Sequence, residues 1–196
     1  MTENNKRVEI PDVVQLEKEL KRVKYREEYR RTLRSTLYIL VVVAALAVLV
    51  AVFYLPVLRI YGSSMTPALY DGDIVVSVKT SNFKTGDIVS FYYNNNILVK
   101  RVIARPGEWV KIEEDGTVFV NGIELEEPYL EEKALGECDI DFPYQVPEGK
   151  IFVMGDHRSV SVDSRTKAIG CVAEEQVVGK LVFRVWPLKE MGVLVE

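Results

Sequence analysis

Residues 35–58 carry no charged side chain, and residues 37–55 are apolar except for Tyr38 and Tyr54 near the ends. At about 1.5 Å per helical residue, those nineteen positions reach about 28 Å, close to the hydrocarbon thickness of a bilayer. The run is apolar on every face, whereas a helix packed on a soluble core keeps one polar face. It is also longer than the apolar stretch of a cleaved leader, and the segment before it is unusually long for one. The pattern therefore predicts a retained transmembrane helix over 36–56. Before it, residues 9–31 read as a charged helix, with Val13, Leu16, Leu20 and Val23 spaced 3-4-3. That is barely two heptads, too short for a coiled coil.

After Pro56 the period changes from helical to alternating. Runs rich in Val, Ile and Tyr occupy 73–79, 87–93 and 97–105, with Asn94, Asn95 and Asn96 as a turn between the last two. Residues 109–114 and 117–121 flank Asp115-Gly116, a hairpin signal, and Asn121-Gly122 marks another turn. Residues 150–154 and 177–185 are two further strands. Before them, residues 126–147 hold Pro128, Pro143 and Pro147 and read as an insertion or long loop. The expected fold is mainly β, antiparallel, in two sheets or a partly closed barrel behind the helix.

Charge gives the chain a direction. Residues 1–36 hold ten Lys/Arg against seven Asp/Glu, and the remainder fifteen against twenty-two. Arg30, Arg31 and Arg34 flank the apolar run on its N-terminal side, so the positive-inside rule puts residues 1–35 in the cytoplasm and 57–196 outside. No basic stripe dominates, which argues against nucleic acid as a partner. Cys138 and Cys171 fall in the outer part, where a disulfide is permitted, but two cysteines define no pairing.

Three polar segments stand out against this frame. The first is residues 61–69, with Gly62, Ser63, Ser64 and Pro67; a serine in such a loop is ordinarily a turn former. The second is Lys100 inside an apolar strand, where a lysine ordinarily snorkels to solvent. The third, residues 155–165, is either a solvated turn or a buried support network. A serine acts as a nucleophile only if a base takes its proton, and a lysine serves as that base only when burial keeps it neutral. The chain contains one histidine, His157.

Taken in order, these segments resemble the bacterial type I signal peptidase (leader peptidase) family. Ser64-Met65-Thr66-Pro67 matches its serine box and Lys100-Arg101-Val102-Ile103, followed by Pro106-Gly107, its lysine box. Residues 155–165, running from Gly155-Asp156 to Asp163-Ser164-Arg165, match its third box. Smaller echoes are Val120-Asn121-Gly122, Glu127-Pro128-Tyr129 and Trp186-Pro187, so the likeness spans roughly residues 36–188. The single anchor looks like Gram-positive members. The resemblance implies a membrane-bound serine endopeptidase that removes signal peptides from secretory preproteins. It implies Ser64 as nucleophile, Lys100 as general base and Ser161 orienting the amine. Asp163 and Arg165 would brace the site, with Asp156 and Arg158 in the same loop. Ile60 and Val99 would line shallow pockets for small residues at the −1 and −3 positions. It also implies a mainly β fold of the signal-peptidase type facing the membrane surface, with no cofactor and no metal. Two rivals share parts of this pattern. A self-cleaving serine–lysine regulator would lack the apolar run, and a catalytically silent surface-assembly relative would not need Ser64 and Lys100.

Three positions depart from the family pattern. Gly62 stands where some relatives carry a serine hydroxyl for the oxyanion hole, which shifts that task to the Ser64 N–H. Ala68 stands where threonine is frequent. His157 replaces the usual asparagine; in the archaeal and endoplasmic-reticulum branch a histidine is the base, but at the position of Lys100.

Overall fold

The computed structural model describes residues 12–194, and its contacts divide the chain into units meeting at Val50 and Ala51. The first element is one helix, α1 (Val13–Tyr54). The charged and apolar segments expected as two stretches are thus continuous. The reason is local: neither glycine nor proline occurs between Pro11 and Pro56, so nothing breaks the hydrogen-bond ladder. Positions 9–11 of the expected charged helix lie outside the described residues. No α1 residue is buried, and its most apolar window has a mean hydropathy of 2.9, so the helix is long and apolar enough to cross a membrane.

The second unit is built from twelve short strands. These are β1 (Val57–Arg59), β2 (Ile74–Val78), β3 (Ile88–Tyr93), β4 (Asn96–Ala104), β5 (Trp109–Ile112) and β6 (Val118–Val120). They continue with β7 (Ile123–Glu124), β8 (Tyr144–Gln145), β9 (Lys150–Met154), β10 (Val172–Ala173), β11 (Val177–Trp186) and β12 (Gly192–Val193). The larger sheet runs β1-β2-β11-β3-β4-β9-β10, with β12 also on β11; the smaller runs β7-β6-β5-β8. Every pairing is antiparallel. Of the two architectures left open by the sequence, two sheets is the one found.

The turn residues do the work their chemistry suits. Asn94 enters the β3–β4 hairpin at φ 51°, and Asn121 and Gly122 link β6 to β7 at φ 54° and 81°. Glycine and asparagine tolerate that left-handed region best. β4 from Lys100 onward and β9 after Lys150 are buried on both faces. Val102, Ile151 and Val153 pack with Phe83, Val89 and Phe91, while Ile103, Phe152 and Met154 pack with Val110 and Val118 of the small sheet. That double coverage explains why β4 reads as an apolar run rather than strict alternation. A third cluster, Ile60, Met65, Leu69, Val75, Ile88 and Leu181, lies under the β1–β2 connection. Both cysteines are free.

Candidate active site

The β1–β2 connection is a pinned turn. Ile60 N–H donates to the Asp73 carbonyl at 2.8 Å and Gly72 N–H to the Ile60 carbonyl at 2.9 Å, closing its base. Gly62 takes φ 84°, a conformation open to glycine, and its N–H donates to Asp71 Oδ1 at 2.8 Å. Met65 and Leu69 sink into the core beneath and anchor the turn. Ser64 is thereby held half-exposed at the surface.

Across from it, β4 presents Lys100, only 4% exposed. Lys100 Nζ lies 2.7 Å from Ser64 Oγ. Burial pulls the amine's pKa below its ordinary value of 10.5; the charges of Asp163 and Asp156 oppose that shift and Arg165 reinforces it. The snorkelling lysine considered from sequence is therefore not what the fold makes. A neutral amine at this distance accepts the serine proton, whereas the ammonium donates to the serine oxygen.

Residues 155–165 form a buried network rather than a solvated turn. Asp163 accepts from Arg165 Nε and Nη2, both at 2.8 Å, and from Gly155 N–H at 2.9 Å. Arg165 Nη2 also donates to the Ser161 carbonyl at 3.1 Å, and Nη1 donates to the Leu135 carbonyl. Arg101, next to Lys100, forks onto Asp156 at 2.8 and 2.7 Å. Arg158 donates to the Gly155 carbonyl at 3.0 Å and pairs with Glu127. Ser161 Oγ, expected beside the lysine amine, is buried and makes no hydrogen bond within the protein. Its neighbourhood is set by Gly155: a Cβ added there would stand 2.2 Å from Ser161 Oγ and 2.5 Å from the Ser64 carbonyl oxygen. Only glycine allows these two loops to approach so closely.

Several contributors were not singled out from sequence. Tyr129 lies under the Arg101 guanidinium, 3.9 Å from ring centroid to carbon, and donates to Glu127 Oε1 at 2.8 Å. Burial raises its phenol pKa, so it remains a donor. Glu127 and Tyr129 stood only as a minor echo in a proline-rich stretch, and their partners lie about thirty residues away. Asp71 and Thr66 gave no signal beyond turn-forming chemistry.

Ser64 and Lys100 open into a groove of about 620 Å³ whose lining includes Leu58, Ile60, Ile97 and Val99. The two expected pocket residues thus share one cavity with Ser64 and Lys100. No carboxylate lines it. Among the described residues the Ser64 N–H has no hydrogen-bond acceptor.

Comparison with known proteins identifies the family. The family model described as signal peptidase, peptidase S26, matches residues 33–186. Signal peptidase I T of Bacillus subtilis (strain 168) is 40% identical over 165 residues, 78% of this chain and 84% of that protein. Signal peptidase IB of Staphylococcus aureus (strain COL) is 40% identical over 151 residues, 67% and 78% of the two chains. A solved signal peptidase I from Enterococcus faecalis V583 aligns at 32% identity over 51% of this chain and 97% of its own, with a TM-score of 0.42. Matches of that identity over most of the chain leave one assignment: this protein belongs to the signal peptidase family, peptidase S26.

Proposed function

We propose that this chain is a membrane-anchored signal peptidase that cuts signal peptides from exported preproteins with a Ser64–Lys100 dyad. Residues 1–35 form a cytoplasmic tail, 36–56 the bilayer anchor and 57–196 an extracytoplasmic protease domain. The observation that carries the reading is the 2.7 Å contact between a buried amine and a half-exposed serine. An isolated buried ammonium is costly, so the pairing makes chemical sense when the amine is neutral.

In the reaction, neutral Lys100 takes the Ser64 proton as the oxygen attacks the scissile carbonyl. Negative charge develops on the carbonyl oxygen, and the unoccupied Ser64 N–H is the donor at hand. Collapse of the tetrahedral species needs a proton on the leaving amine, which Lys100 supplies, leaving an acyl-enzyme. Lys100 then activates water for deacylation. Asp163 and Arg165 fix the loop behind the amine, Asp156 holds Arg101 beside it, and Arg158 ties Gly155 to Glu127. Ser161, buried with a hydroxyl that has no partner among the described residues, is the residue assigned to orienting the amine. Ile60 and Val99 in the groove suit small apolar residues on the acyl side of the bond.

The test uses detergent-solubilised protein and a preprotein with an Ala-x-Ala cleavage site. Wild type, Ser64→Ala and Lys100→Ala are compared between pH 6 and 10. Cleavage after the small residue, abolished in both variants and rising with pH through one basic ionisation, is expected. Activity surviving in Lys100→Ala would sink the dyad and turn attention to His157.

A further inference from the structure

His157 is the chain's one histidine, and it touches the nucleophile turn twice. Its backbone N–H donates to the Ser64 carbonyl at 3.1 Å, and its ring Nδ1 lies 3.1 Å from Thr66 Oγ1. The same Thr66 oxygen lies 2.9 Å from the Ser63 carbonyl. A threonine hydroxyl has a single proton to give, and a carbonyl has none. If that proton went to His157, Thr66 Oγ1 and the Ser63 oxygen would face each other as two acceptors at 2.9 Å. The favourable arrangement is therefore one way only: the Thr66 hydroxyl donates to Ser63, and His157 donates to Thr66.

We infer that His157 is a positioning residue, its Nδ1–H the head of a relay through Thr66 that holds the peptide of Ser63 and hence the Ser64 nucleophile in place. The inference rests on the reading of Ser64 as nucleophile. The relay starts in the loop that also carries the Asp163–Arg165 pair, since the His157 carbonyl accepts from Ser161 N–H at 3.1 Å. It thus couples the support loop to the nucleophile turn by side chains as well as by the backbone contact to Ser64.

Two consequences separate this role from general-base chemistry. First, Nδ1 carries a proton in the neutral ring of this tautomer and in the imidazolium alike, so the contact survives protonation. The ring shares a cavity of about 300 Å³ with Glu131, Glu132, Asp156 and Arg158. Second, Nδ1 of histidine and the side-chain nitrogen of asparagine stand the same number of bonds from Cα. Asparagine at 157 therefore places a donor where the relay needs it, whereas glutamine overshoots and alanine has none.

The first experiment reads the tautomer directly. Full-length protein labelled with ¹⁵N-histidine in detergent contains a single imidazole, so two nitrogen signals report it. A protonated Nδ1 and bare Nε2 at high pH are expected, with Nδ1 shifting in Thr66→Val. A bare Nδ1 would overturn the relay. The second experiment is kinetic. His157→Asn and Thr66→Ser are expected to keep kcat within about threefold. His157→Ala, His157→Gln and Thr66→Val are expected to lose about 10- to 100-fold in kcat with KM little changed, the scale of small misplacements at a reacting group. The His157→Ala/Thr66→Val double variant should be no worse than either single one. Equal activities of the asparagine and glutamine variants, or additive losses in the double variant, would overturn the relay. The tautomer is read without turnover, so a failure of Ser64→Ala to abolish activity would fall on the nucleophile assignment and leave that reading separate.

Discussion

Lys100 makes the protein's stability depend on pH with a definite sign. Its amine pKa is lowered in the folded state, chiefly by burial, from an ordinary value of 10.5. Between the lowered value and 10.5 the unfolded chain therefore binds more protons than the folded one, and stability rises with pH across that window. Below the window both states are protonated and the fold carries the full cost of a buried ammonium. Lys100→Met keeps the stem and removes the charge, so it should abolish cleavage while raising the urea midpoint at pH 6. That advantage should shrink as pH rises toward 10; an unchanging difference in midpoint would mean that the fold does not lower the Lys100 pKa. The residues themselves were legible in sequence, because Ser64, Lys100, Asp163 and Arg165 sit in boxes of recognisable spacing. The burial of Lys100, Asp163 and Arg165 was not, since it depends on neighbours such as Met65, Gly155 and Leu135 brought in from three separate loops. The proton direction at Thr66 was invisible for the same reason: it follows from a 2.9 Å distance, not from a motif.

At the scale of elements, β4 carries Lys100 and Arg101 on a strand covered on both faces, and the stretch between β7 and β8 covers what would otherwise be bare arginines. Glu127 and Arg158 are paired with side-chain exposures of 1% and 0%, and the Tyr129 ring lies under the Arg101 guanidinium. Removing one partner of a buried pair leaves an uncompensated charge, a loss of about 3–5 kcal/mol, while an exposed pair contributes about 0–1 kcal/mol. Glu127→Gln should therefore lower the urea-derived stability by several kcal/mol. Glu124→Gln, three residues away and paired with Lys133 at 57% and 41% exposure, should change it by less than about 1 kcal/mol. Equal effects would mean that the 126–147 stretch is a loose insertion, as its prolines suggest. Local pattern marked the β3–β4 and β5–β6 hairpins because their turn residues carry the signal themselves. It missed β1, β7, β8, β10 and β12, each of two or three residues, whose existence depends on a partner strand rather than on their own sequence. The unbroken α1 was a related omission: a change from charged to apolar composition marks a change of surroundings, not of backbone geometry.

At the scale of the molecule, charge supplies an argument for which side of a membrane the second unit would occupy. Eight Lys/Arg lie within the twenty residues before position 37, whereas Arg59 is the one basic residue between the apolar run and Lys79. Positive residues near the ends of a span set its orientation, and acidic ones count little. The N-terminal side is therefore expected inside and the dyad outside, where exported chains emerge. Single-cysteine variants read this directly once Cys138 and Cys171 are replaced by alanine. Ser159→Cys, beside the support loop, should react with a membrane-impermeant maleimide on intact spheroplasts. Gln15→Cys, exposed on α1, should react only after lysis. The reverse pattern would put the dyad in the cytoplasm and remove the proposed substrates from its reach. Replacing Arg30, Arg31 and Arg34 with glutamate cuts the bias where it is strongest, and should produce a mixed population in which both probes are partly accessible. If the orientation survived that change intact, folding of the outer unit rather than charge would be what holds the topology.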